Sequence, residues 1–156
     1  PDKAPECCNP YRLLSMINVD NNIIAKLFSE WLFQLLPDMV RPNQCRFVPG
    51  RSTLHNFRTI FAVLHSNVPD LPAAAIFLDA NEVFDSLEWT YLFKLLHRIG
   101  LSPTFLKWIQ LMYHKPTASI QVNGLVSGPF MISRGTRQGC PLSPILYAIA
   151  MEPLAA

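Results

Sequence analysis

Charge is scarce in this sequence: 15% of its 156 residues are Asp, Glu, Lys or Arg, and the formal balance is +2. So small an excess permits a nucleic-acid partner without requiring one, and any basic footprint has to be local. Cysteine is sparse too. Cys7, Cys8, Cys45 and Cys140 form no Cys-x-x-Cys pair, and no histidines stand at zinc-finger spacing, which argues against a metal or disulfide framework. Reduced thiols in a cytoplasmic or nuclear protein are the expectation. No apolar run reaches the roughly 18 residues that span a bilayer and no signal peptide opens the chain, so no membrane partner is expected. No histidine pairs with serine or cysteine in a nucleophilic arrangement, so hydrolase chemistry lacks support. Internal repeats and low-complexity segments are absent. Pro1 opens the sequence in place of Met and Ala156 closes it inside an apolar run, so both ends are expected to be cuts in a longer chain.

What is present is apolar. Half the residues are hydrophobic, which fits a packed interior and argues against disorder. A chain of this length buries roughly two-thirds of its unfolded surface if it closes on itself. Residues 1–10 carry three prolines and read as an extended lead-in. From Asn18, apolar residues recur at helical spacing through Ile23, Ile24, Leu27, Phe28, Trp31, Leu32 and Leu35, with Asp20 or Asn21 as N-cap and Pro37 as the stop. A loop, RPNQCRFVPGRS, precedes a second amphipathic stretch with Leu54, Phe57, Ile60, Phe61 and Leu64 on one face. After a linker, AAAIFLD is a short apolar run that suits a central strand buried on both faces.

Residues 86–99 return to helical spacing, and Gly100 stands where a C-terminal cap belongs. Pro103 opens a further helix through Phe105, Trp108, Ile109, Met112 and Tyr113. The period then changes to two at Ala118, Ile120 and Val122, and Asn123-Gly124 signals a hairpin turn before Phe130–Ile132. Pro141 to Ala155 reads as a last helix, with Pro144 in its first turn. Helices, a buried strand, two helices, a hairpin and a helix make an α+β arrangement.

Three segments could carry chemistry. In LDANEVFDSLEW, Asp79 follows the expected strand, where a carboxylate faces a cleft and suits a hard cation such as Mg²⁺. On this segment alone it reads better as the end of the strand or the cap of the next helix. Asp85 reads better as the cap of a helix starting near Ser86 than as a catalytic group, and Phe84 as a core residue. In SRGTRQGCPLSP, Arg134 and Arg137 flank a glycine loop that feeds a helix N-terminus, an arrangement that holds phosphate or sugar. Gln138 suits a base edge or a backbone contact, and a plain surface role as well. In FVPGRS, Arg46 and Arg51 flank a Pro-Gly turn and either meet phosphate or stay solvated. The aromatic residues are spread at core spacing and form no stacking platform.

Together these blocks resemble the reverse transcriptase domain of non-LTR (LINE-type) retrotransposons. YRLLSMINVDNNIIAK is similar to the opening block of that family, QCRFVPGRS to its Gln-x-Gly-Phe-x-Pro-Gly-Arg-Ser loop, and IFLDANEVFDSLEW to its Leu-Asp-x-x-Lys-Ala-Phe-Asp block, polymerase motif A. VNG and RGTRQGCPLSPILYAIAMEPLA match its hairpin and motif B in order and spacing. The resemblance implies a right-hand polymerase fold: helix-rich fingers over residues 1–72, then over 73–156 a partial palm, an incomplete antiparallel sheet with helices on one face. It implies template-directed nucleotidyl transfer to a primer 3′-hydroxyl, with an RNA template, a DNA primer, dNTPs and two Mg²⁺ ions.

By the same carry-over, Asp79 is a catalytic metal ligand and the carbonyl of Ala80 helps hold the second metal. Phe84 packs against the incoming sugar and excludes a 2′-hydroxyl. Arg137, Gln138 and Gly139 line the nucleotide pocket, and Arg51 lies in the fingers near template or triphosphate.

The departures matter. Leu13 stands where the family has proline, Arg46 where it has glycine, and Glu82-Val83 where it has Lys-Ala. Glu82 places a like charge near the expected triphosphate, at a cost of about 1 kcal/mol even in water-like surroundings. The family's Tyr/Phe-x-Asp-Asp (motif C) does not occur in these residues, nor does a thumb or endonuclease domain. Two-metal phosphoryl transfer needs carboxylates that hold both ions, so the expectation is that these residues alone have no polymerase activity. The other outcomes are a non-catalytic nucleic-acid-binding relic or an incomplete domain with an open sheet edge.

Overall fold

The computed structural model of the chain describes residues 14–65, 76–79 and 84–154. Its elements are α1 (Val19–Met39), α2 (Thr53–His65), α3 (Trp89–Arg98), α4 (Pro103–Met112), strands β1 (Thr117–Ala118), β2 (Gln121–Val122), β3 (Leu125–Val126) and β4 (Phe130–Met131), α5 (Ser143–Met151) and a closing 3-10 turn, Glu152–Leu154. The coarse expectation of helices mixed with small antiparallel sheets holds. Several local expectations are corrected.

α1 starts one residue after Asn18, so neither Asp20 nor Asn21 is its N-cap, and it runs two residues past Pro37. Proline removes one helical N–H, yet Val40 N still donates to Leu36 O at 3.2 Å and closes the last turn. Its buried residues are Ala25, Phe28, Leu32 and Leu36, whereas Ile23, Leu27, Trp31 and Leu35 are exposed. The expected run is thus split, with Phe28 and Leu32 in the core and the rest turned outward. α2 forms where its pattern predicts, but none of its residues is buried. Its attachment is polar: Asn56 Nδ2 donates to Asn43 O at 3.1 Å, and the Cys45 thiol reaches Asn56 Oδ1 at 3.3 Å.

The expected buried strand is the largest correction. Residues 76–79 form no strand, and Ile76, Phe77 and Leu78 are 81, 81 and 92% exposed. The four strands present pair among themselves, β1 with β4 and β2 with β3, which leaves this segment no ladder partner among the described residues. Residues 73–75 of that run, the lead-in 1–10 and the linker lie outside the described residues. The hairpin also differs from a continuous one. Its ladders are interrupted at Ile120 and Ser127, where Ile120 N turns to the Ser127 hydroxyl at 2.9 Å. Asn123 and Gly124 adopt φ of 51° and 81°, the left-handed pair that a two-residue turn demands.

The core is built around α5. Ser143, Ile145, Leu146, Ala148, Ile149 and Ala150 are all buried, as expected of a helix apolar on every side. α1 packs on one side of it and α3 on another, with α4 against α3. Pro103 lies in the first turn of α4, and Ser102 caps that helix by accepting Phe105 N at 3.3 Å. Gly100 ends α3 at φ 93°, the left-handed residue that a helix C-terminus uses. Pro144 falls in the first turn of α5, and the helix gives way to the 3-10 turn at Glu152, short of the expected Ala155. Among the described residues no helix is long and apolar enough to cross a membrane.

Candidate functional site

The chain segment before α3 and the loop before α5 are tied together by a dense set of contacts. Gly135 N donates to Leu87 O at 2.7 Å, and Thr136 N and Oγ1 both donate to Phe84 O. The Trp89 indole N–H closes the set on Gly135 O at 2.7 Å. Gly135 is buried at φ 89°, and a β-carbon there would stand 2.8 Å from Asp85 O. Only glycine fits both the conformation and the approach.

On this frame stand the side chains that sequence singled out. Gln138 Nε2 donates to Asp85 Oδ2 at 3.0 Å, and both residues are half-buried. α3 begins at Trp89 with Glu88 at its N-cap, so Asp85 does not cap a helix. The Phe84 ring packs on Tyr147 of α5, centroids 5.1 Å apart and planes at 46°. Burial pushes the Tyr147 hydroxyl up from its ordinary pKa, and the charge of Arg46 opposes that shift. Arg46 supplies that opposing charge from the loop before α2. Its own backbone is not left-handed; Phe47 takes φ 62° instead, with the Arg46 guanidinium 5.2 Å over its ring.

Gly139 turns the chain at φ 97° into α5. The Arg137 carbonyl accepts from Cys140 N at 3.1 Å and from the Ser143 hydroxyl at 2.9 Å, which fixes the turn. Burial raises the pKa of Tyr113 on the α4 side strongly, Cys140 adds to that, and the Arg137 charge and the Ser143 hydroxyl oppose it. The opening block joins as well, since Ser15 N donates to Gln138 O at 3.3 Å.

The structure thus gathers Phe84, Arg137, Gln138 and Gly139, and adds Asp85 and Tyr147, which sequence reasoning did not place there. Asp79 ends the exposed segment 76–79, five positions before Phe84. Ala80 lies outside the described residues, as do Glu82 and Val83. Arg51 is engaged elsewhere. Its Nη1 donates to Arg41 O and, at 3.0 Å, to Gln44 O; its Nη2 donates to Pro37 O at 2.8 Å and Val40 O at 3.1 Å. The guanidinium caps the C-terminus of α1, where cations are favoured, and only Nε–H is left outside these four bonds. Gln44 of the same loop donates to Ala148 O on α5 at 2.7 Å. The periodicity of α1 gave no signal for that clamp; the nearest one is arginine directly after a Pro-Gly turn.

The arrangement offers an aromatic wall, an amide held by a carboxylate, and a glycine turn at a helix start. Those groups suit a sugar and a base edge. They do not suit two divalent cations. Among the described residues no three of His, Cys, Asp and Glu come together as a metal site, and Asp79 is a single exposed carboxylate.

The family model of reverse transcriptase (RNA-dependent DNA polymerase) matches residues 1–156. The chain is 33% identical over 144 residues to the "Transposon TX1 uncharacterized 149 kDa protein" of Xenopus laevis, an alignment covering 92% of this chain and 11% of that protein. It is 32% identical over 114 residues to the "Retrovirus-related Pol polyprotein from type-2 retrotransposable element R2DM" of Drosophila melanogaster, covering 72% of this chain and 11% of that protein.

Proposed function

Because this chain belongs to the reverse transcriptase family, in its non-LTR retrotransposon branch, we propose that it supplies the nucleotide-binding face of an RNA-directed DNA polymerase. It spans 11% of the length of each of the two curated relatives. Enzymes of the family use divalent metal ions and act with an RNA template, a primer and dNTPs. For this chain, residues 1–72 are the fingers portion and 73–156 part of the palm.

One observation carries the reading: the loop 135–139 is latched onto residues 84–89, so that the two sequence blocks with nucleotide-site character form one surface. On it, Phe84 backed by Tyr147 packs against the sugar and crowds a 2′-substituent. Gln138 and Gly139 line the base and sugar side, and Arg137 contributes positive charge. Asp79, five positions before Phe84, is the candidate metal ligand, and the carbonyl of Ala80, the next residue in sequence, is the candidate for the second metal. One carboxylate does not hold two Mg²⁺ ions, and so these residues alone bind dNTP without transferring it.

The test is a fluorescence titration of the purified chain with a labelled dNTP, run beside primer extension on an RNA template with Mg²⁺. Saturable dNTP binding with no cDNA above an Asp79→Ala control is expected. Absence of dNTP binding, or cDNA above that control, overturns the reading.

A second reading, a non-catalytic nucleic-acid-binding module, is favoured by one feature. An open cleft of about 410 Å³ between the 41–52 loop and α2 is lined by Arg51, His55 and Arg58. Gel shift with an RNA–DNA hybrid across a salt series tests it, because phosphate contacts give a steep salt slope.

A further inference from the structure

Asp85 has no assigned task in the nucleotide site, and α3 does not use it as a cap. Its carboxylate instead accepts a hydrogen bond from Gln138 Nε2 at 3.0 Å in a half-buried setting, across 53 positions of sequence. An ionised carboxylate only accepts, so it selects one of the two orientations of a glutamine amide. With Nε2 drawn to Asp85, Oε1 is left as the amide's acceptor for a ligand, together with the second N–H.

We propose that Asp85 is a positioning residue of the nucleotide site: it fixes the orientation of the Gln138 amide and thereby decides which hydrogen-bonding face a nucleotide meets. The proposal rests on the reading of Gln138 as a nucleotide contact.

The geometry separates this role from a merely structural one. The backbones of the two segments are joined independently of the Asp85 carboxylate, through Gly135 N on Leu87 O, Thr136 N on Phe84 O and the Trp89 indole on Gly135 O. Removing the carboxylate therefore leaves the latch closed and frees only the amide. In Asp85→Ala the amide rotates between two orientations. In Asp85→Asn the side-chain oxygen still accepts from Nε2, so the native orientation is partly kept.

The experiment is a double-mutant cycle read by fluorescence titration with mant-dATP, with thermal melts run in parallel on every variant. Asp85→Ala should weaken binding about tenfold, in line with loss of a charged hydrogen-bond partner that organises a ligand group. Asp85→Asn should recover most of that loss, and Asp85→Ala should have no further effect in a Gln138→Ala background. If the wild-type chain binds no mant-dATP, the nucleotide-site reading falls and this proposal with it. If the wild type binds but Asp85→Ala is unchanged, or loses as much in the Gln138→Ala background as alone, the positioning role is overturned while the nucleotide site stands.

Discussion

Replacing Arg51 with alanine would take one guanidinium away from four backbone carbonyls at once, those of Pro37, Val40, Arg41 and Gln44. Of these, the Pro37 carbonyl lies in the last turn of α1 and Val40 is its C-cap, positions that no helical N–H satisfies. A hydrogen bond of this kind contributes about 1 kcal/mol net, and more when the donor is charged. Two effects reduce the sum. The group is only half-buried, so water replaces part of what is lost, and a freed arginine recovers up to about 2 kcal/mol of rotamer entropy that alanine never had to lose.

The balance is a loss of about 2 kcal/mol, which for a chain of this size lowers Tm by about 4–8 °C. Arg51→Lys should recover less than half, because an ammonium is a point charge that cannot span carbonyls on both prongs of a fork. Circular dichroism melts of the three proteins, with helical signal followed at low temperature, measure this directly. A change of Tm under about 1 °C in Arg51→Ala would refute the clamp. So would unchanged melting combined with a flatter salt slope for hybrid binding, since that pairing belongs to a phosphate contact.

Two further outcomes follow from the packing. Gly135→Ala should destabilise the chain by about 3 kcal/mol, because it adds a β-carbon 2.8 Å from Asp85 O at φ 89°; urea denaturation showing less than about 0.5 kcal/mol would contradict the close approach. Stability should fall as pH rises above 10.0, where exposed tyrosines of the unfolded chain ionise while burial keeps Tyr113 neutral in the fold. The folded pKa is the raised one, so the contribution is complete below the unfolded value and is lost at up to about 1.4 kcal/mol per pH unit above it. Tyr113→Phe should flatten that alkaline limb, and an equally steep limb in the variant would assign it to other groups.

How much of this was legible in the sequence depends on the range of the forces involved. Pro103, Gly100 and Asn123-Gly124 act on their own backbone neighbours, and each appears where its local chemistry places it. The family blocks were legible too, because they are read as ordered motifs. Asp85 was misread for the opposite reason: a carboxylate just before a helical pattern looks like a cap, and its partner Gln138 is 53 residues away. Arg51 donates to the carbonyls of Pro37, Val40, Arg41 and Gln44, contacts that its place after a Pro-Gly turn does not announce. The run Ile76–Asp79 has the composition of a buried strand, but a strand exists only with a ladder partner, and among the described residues it has none. The stripe Ile23, Leu27, Trp31 and Leu35 likewise has the right spacing, while packing against α5 buries the adjacent face.

If residues 84–85 and 137–139 form one nucleotide surface, a bound nucleotide touches both segments at once. Photo-crosslinking with an azido-dNTP, followed by digestion and peptide mapping, tests it most directly. Adducts are expected in both the peptide containing Phe84 and the peptide containing Gln138, competed away by unlabelled dNTP and reduced in Gln138→Ala. Adducts confined to the basic cleft at His55 and Arg58, or labelling that unlabelled dNTP does not compete, would contradict it.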